Sequence, residues 1–108
     1  MTTPAPTPTS GPWNPLMPRF GELTRDVLFG DVWERPGLSK RDRSLITVAA
    51  LTVLYRTDQL RGHVLRAIDN GVTQEELAEV FQHMAFYGGW PVAVNAYSTA
   101  NQALGLNA

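Results

Sequence analysis

The chain has no cysteine. That single absence excludes disulfides, thiolate metal sites and thiol nucleophiles together. Histidine is scarce as well, with two in 108 residues. His63 and His83 are too few and too far apart to spell a metal site, and no metal or other cofactor is expected. Neither sign of charge dominates: 9 basic and 10 acidic side chains leave a net charge of −1. Such a balance gives no electrostatic footprint for nucleic acid or an anionic membrane surface. Apolar runs fall short of the ~18–20 residues that cross a bilayer. The N-terminus has neither a basic stretch nor an apolar one in the order of a secretory signal, so a cytoplasmic location is expected. There is no strand-like alternation of useful length, no phosphate-binding glycine loop, no serine elbow and no dinucleotide fingerprint.

What is present is one domain's worth of helical pattern behind a tail. Residues 1–18 hold six of the eight prolines. A stretch this rich in proline buries too little apolar surface to offset its ordering entropy, so it is expected to be largely disordered. Trp13, Leu16 and Met17 are its first groups able to dock. Residues 19–108 form the expected domain. Phe20, Leu23, Val27 and Leu28 fit a short helix that Gly30 ends. A loop with a Pro36-Gly37 breaker follows. Ser39 reads as an N-cap. From Leu45 to Tyr55 only Thr47 and Thr52 are polar, so this helix is expected at the centre, buried on all sides.

The next stripe is Leu60, Val64, Ala67 and Ile68, with a stop at Asn70-Gly71. Thr73 and Glu76 form a capping box opening a helix that carries Leu77, Val80, Phe81 and Met84 on one face. Gly88-Gly89 ends it. Pro91 suits the first turn of a last helix, which lines up Ala93, Ala96, Tyr97, Ala100 and Leu104. The predicted fold class is all-α, with about five or six helices. Roughly 90 ordered residues give a thin core, so the chain is expected to self-associate.

Few residues can carry chemistry. His63 lies three residues after Leu60, at the edge of the apolar stripe. Partial desolvation there favours the neutral imidazole, which serves as a general base or acid near pH 7. A core histidine bonded to a carbonyl has the same spacing. His83 and Tyr87, four apart, share a helix face. They read as a proton relay, a pocket wall, or simple packing. Arg35, Lys40, Arg41 and Arg43 cluster where the apolar helix begins, and cations there oppose the helix dipole. A bound carboxylate would compensate, since arginine grips carboxylates bidentately. So would nearby acidic side chains. Lys40 and Arg41 read as a solvated face and Arg43 as the one pointing inward. Trp33, Trp90 and Tyr87 flank loops, where they fit a small apolar pocket or a subunit interface.

Several consecutive segments carry a resemblance. The run Gly30-Asp31-Val32-Trp33-Glu34-Arg35-Pro36-Gly37-Leu38 is followed by Arg43-Ser44-Leu45-Ile46-Thr47-Val48-Ala49-Ala50-Leu51. Then come Leu60-Arg61-Gly62-His63, Ala67, Asn70 and Gly71, the segment from Thr73 to Glu79, and His83 with Tyr87-Gly88-Gly89-Trp90-Pro91. In this order, over about residues 20 to 105, they resemble the carboxymuconolactone decarboxylase family.

The resemblance implies an alkylhydroperoxidase-D-like helical fold assembled as a homotrimer or homohexamer. That superfamily's redox branch has two cysteines ahead of a histidine. His63 matches the histidine, while the cysteine positions fall on Arg56 and Gln59, which places this chain in the non-thiol branch. The implied activity is cofactor-independent decarboxylation of a small carboxylated lactone, similar to 4-carboxymuconolactone, in aromatic-compound catabolism. His63 and Arg43 are the implied catalytic pair. Arg35, Trp33, His83, Tyr87 and Trp90 are the implied substrate-binding group. Two other readings stay open: a lactone isomerase or hydrolase, and a non-catalytic helical oligomer that binds a small ligand or partner.

Overall fold

The computed structural model describes residues 15–106. Most of the proline-rich tail, Trp13 included, lies outside the described residues. Five α-helices account for most of the described chain: α1 (Pro18–Leu23), α2 (Lys40–Val53), α3 (Thr57–Asp69), α4 (Gln74–Gly88) and α5 (Trp90–Leu104). No strand occurs among the described residues. The chain divides into two compact units, one up to Lys40 and one from Arg41 onward.

In the first unit, α1 runs on into a π-helical segment over Thr24–Phe29. The Thr24 hydroxyl donates to the Phe20 carbonyl at 2.7 Å, competing for an acceptor on the helix ladder where the register widens. Gly30 ends the segment, as its position predicts. A Cβ there would come within 2.7 and 2.8 Å of the Asp26 and Arg25 carbonyl oxygens, so only glycine fits. The expected loop contains one turn of 3₁₀ helix, Val32–Glu34. It buries Trp33, whose ring lies 5.8 Å from that of Phe29.

The second unit is built around α5, which packs on both α3 and α4. Ala96 and Ala100 make this possible, because small side chains let the backbones approach. The core joins Val48 of α2, Leu60, Val64 and Ala67 of α3, Leu77 and Phe81 of α4, and the two alanines. The expectation of a central α2 buried on all sides is not met. Only Ser44, Val48 and Thr52 are buried on it, a stripe of every fourth residue, while Ile46 is 56 % exposed. The apolar composition of α2 thus exceeds what one chain covers.

The ends of α2 and α3 share one hydrogen-bond pattern. After α3, the Val72 amide reaches the Ala67 carbonyl at 2.9 Å and the Gly71 amide reaches Ile68 at 3.0 Å. Gly71 takes φ +98°, which suits a residue without Cβ. After α2 the same pair of bonds runs from Arg56 to Leu51 and from Tyr55 to Thr52. Here the left-handed position, φ +64°, is occupied by Tyr55. A tyrosine in that conformation costs about 1 kcal/mol. The Asn95 side-chain amide donates to the Tyr55 hydroxyl and pins the corner to α5.

The capping box at α4 forms as expected. The Glu76 amide donates to Thr73 Oγ1 at 3.1 Å, and the Thr73 amide donates to Glu76 Oε1 at 3.0 Å. Thr73→Ala removes one acceptor and is expected to cost about 1 kcal/mol, read as a lower urea midpoint with an unchanged slope.

Candidate active site

His63 sits on α3 beside the buried Leu60, Val64 and Ala67. Its side chain is half-buried. Burial pushes the imidazole pKa below its ordinary 6.5, and the positive charge of Arg66 pushes it further down. The ring is therefore neutral at neutral pH, able to accept a proton without first losing one. Arg66, three residues on, is half-buried too, and desolvation lowers its own pKa while Asp69 acts in the opposite sense. Sequence reasoning missed Arg66. The available signal was its spacing of three from His63, which puts both on one helix face.

The α2 end of the site is held by side chains. Asn70, which caps α3, donates its amide to the buried Ser44 hydroxyl at 3.0 Å and so ties the end of α3 to α2. Arg43 precedes Ser44. It is half-buried, and its Nε is out of solvent, in keeping with the inward direction expected of it. The neighbouring cations have other work. Lys40 pairs with Glu34 at 2.7 Å. Arg41 pairs with Glu76 and is half-buried, so it joins α2 to the first turn of α4 rather than forming part of a solvated face. The Thr73 backbone bond first, and this pairing second, hold the Glu76 carboxyl below the usual range.

The aromatic candidates do not come together. His83 and Tyr87 stack along α4 with ring centroids 5.1 Å apart, as their spacing predicts, and both are exposed. His83 lines a shallow groove of about 440 Å³ between α2 and α4, with Ile46, Glu79 and Met84. Trp90 meets Phe86 edge-on at 5.8 Å and lines a different groove, about 770 Å³, between α4 and α5. That groove is apolar, with Phe81, Val94, Tyr97 and Leu104 among its walls and no charged side chain. Arg35 and Trp33 belong to the first unit, where Arg35 is exposed and Trp33 buried. Among the described residues no three histidine or acidic side chains gather where they could hold a metal ion.

An all-helical domain with a half-buried histidine on its third helix, near the cationic Arg66 and without thiols, defines a class suited to acid–base work on small anions. Residues 18–102 match the carboxymuconolactone decarboxylase family model, and the chain belongs to that family. Over 83 residues it is 43 % identical to the 4-carboxymuconolactone decarboxylase of Acinetobacter baylyi, a match covering 77 % of this chain and 62 % of the relative. Over 75 residues it is 39 % identical to the nitrosuccinic acid decarboxylase of Metarhizium robertsii, covering 69 % and 52 %. An uncharacterised 15.0 kDa protein of Paracoccus denitrificans is 33 % identical over 87 residues, covering 79 % and 65 %. The matches thus span about half to two thirds of these relatives' lengths.

Proposed function

We propose that the chain is a carboxy-lyase acting on a small carboxylated substrate, a carboxylated lactone of the 4-carboxymuconolactone kind being the first candidate. The observation that carries this reading is His63, half-buried on α3 beside Arg66, where burial favours the neutral ring. In the reaction the bond from carbon to carboxylate breaks and carbon dioxide leaves. The electron pair flows into an acceptor group, directly or through a conjugated double bond, and one proton is delivered to a carbon of the resulting anion. The substrates named for the two decarboxylase relatives share this logic, with a lactone carbonyl as the acceptor in one and a nitro group in the other. With the substrate's negative charge beside it, His63 takes a proton from water and hands it to the carbanion, and the hydroxide left is neutralised by solvent. Arg43 stabilises the developing charge. His83 and Tyr87, stacked on α4, are the substrate-binding residues of this reading. No cofactor is required for this chemistry.

In this reading the domain has the alkylhydroperoxidase-D-like arrangement and works in the cytoplasm on products of aromatic-compound breakdown. It acts as a homotrimer or homohexamer. The apolar groove between α4 and α5 supports assembly: Phe86, Trp90, Val94 and Tyr97, all lining it, are each more than half exposed, a surface that a second copy would cover. The Asn101 side-chain nitrogen is buried at that groove with no hydrogen-bond partner among the described residues. Light scattering at low micromolar concentration is expected to give a mass several times that of one chain. Trp90→Ser is expected to lower that mass, and a folded wild-type monomer would refute the assembly.

The activity is tested by incubating the protein with 4-carboxymuconolactone, and separately with nitrosuccinate, while recording carbon dioxide release. Release above the uncatalysed rate from at least one is expected. No release from either would reject both leading substrates.

A further inference from the structure

We propose that Gly62 and Arg66 join His63 in a carboxylate-binding face on α3. Arg66 grips one carboxylate of a compact dicarboxylic substrate, and Gly62 leaves the gap in which the substrate body lies against the imidazole. The inference rests on the carboxy-lyase reading for what becomes of the substrate, but not for its binding.

Helix geometry supplies the first argument. Gln59, Gly62, His63 and Arg66 stand at i, i+3, i+4 and i+7 of α3, so they share one face. This face flanks the buried stripe of Leu60, Val64 and Ala67 and is not part of it.

Gly62 supplies the second. A glycine inside a helix destabilises it relative to alanine, by loss of backbone entropy in folding. Packing normally explains such a residue. Here a Cβ at Gly62 would meet no atom within 4 Å. Nothing in the described chain needs the gap, and it lies next to the residue best suited to proton transfer.

Charge supplies the third. Arg66 is half-buried and close enough to His63 to depress its protonation. Burial disfavours the positive charge on both groups, Asp69 offsets it on Arg66 only in part, and an anion relieves both. A planar guanidinium holds a carboxylate through two parallel hydrogen bonds, which fixes orientation as well as position. With one carboxylate fixed at Arg66, the second carboxylate of a four- to five-carbon dicarboxylic unit falls within reach of His63, one helical turn away. The Gln59 side-chain amide is on the same face and able to donate to either.

Succinate is the test probe, because it has two carboxylates and no group that accepts electrons, so binding is read without turnover. It is titrated into the full-length protein while the Gly62 amide and His63 imidazole NMR signals are followed. Both signals are expected to shift in the wild type. Arg66→Gln is expected to weaken binding at least tenfold, with Arg66→Lys intermediate. Gly62→Ala is expected to raise Tm by roughly 3–6 °C as a helix-favouring change, and yet to weaken binding. Gly62→Leu is expected to abolish it. Unmoved signals in the wild type, or equal affinity in Arg66→Gln, would overturn the proposal. So would a Gly62→Leu variant that binds as well as the wild type. Succinate binding of the expected pattern, together with no carbon dioxide release from any substrate, would support this face and reject the carboxy-lyase reading alone.

Discussion

Replacing His63 with glutamine is expected to lower kcat for carbon dioxide release by about 10²–10⁴-fold, the usual contribution of a positioned general acid–base group. Glutamine keeps the polar end and much of the volume, and the helix propensities are close. Far-ultraviolet circular dichroism is therefore expected to be unchanged. A second readout separates a chemical role from a structural one. The folded His63 pKa is below 6.5, first because burial penalises the charged ring and second because Arg66 repels it. Between the folded value and 6.5 the unfolded chain binds more protons than the native one. The native state is thus fully favoured above that window and loses stability as pH falls through it. His63→Gln removes this dependence. Urea midpoints from about pH 7.5 to about pH 5 are expected to fall less in the variant than in the wild type. Equal turnover in the variant would remove His63 from the mechanism.

Leu60→Ala is expected to have the largest effect on stability, about 2–5 kcal/mol. Leu60 is fully buried and belongs to the cluster that joins α2, α3, α4 and α5 through Val48, Val64, Leu77, Phe81 and Ala96. Removing its branched end deletes apolar contacts and leaves a cavity among helices too tightly packed to close over it. A small domain has only about 5–15 kcal/mol in all, so this one change takes a large share. Tm is expected to fall on the order of 10–20 °C. Leu65→Ala serves as a contrast five residues away on the same helix. Leu65 is about half exposed, and its truncation is expected to cost less than about 1 kcal/mol. Similar losses at both positions, measured by urea denaturation, would contradict the packing described here.

The helices were legible wherever local signals fixed them. Thr73 and Glu76 announce the start of α4 three residues apart, and both bonds of the box form. Asn70-Gly71 and Gly88-Gly89 mark ends, because glycine tolerates the backbone angles needed there. Two features were hidden. Tyr55 takes a left-handed angle that its residue type disfavours, and only its contact with Asn95 on a distant helix explains it. The π-helical segment after α1 begins at Thr24, whose hydroxyl bonds back to the Phe20 carbonyl, and spacing reveals neither. The position of α2 was misjudged for a different reason. Apolar composition says that a surface wants cover, without saying whether its own chain provides it. The small residues of α5, Ala96 and Ala100, decided which helix took the middle.

The candidate site was legible in part. His63 and its partial burial follow from its place beside the Leu60 stripe. His83 and Tyr87 pair as their spacing requires. Arg66 was not singled out, since only the packing reveals that it is half-buried beside His63. Trp90 could not be assigned to one pocket or another from sequence, because the α4–α5 groove exists only once both helices are placed.

The most direct test of the central claim uses 4-carboxymuconolactone labelled with ¹³C in the scissile carboxylate, turned over in D₂O. A carboxy-lyase that returns one proton to carbon releases one labelled carbon dioxide and incorporates one deuterium for each lactone consumed, and His63→Gln slows both together. Lactone consumed without labelled carbon dioxide would instead show an isomerase or hydrolase and contradict the account.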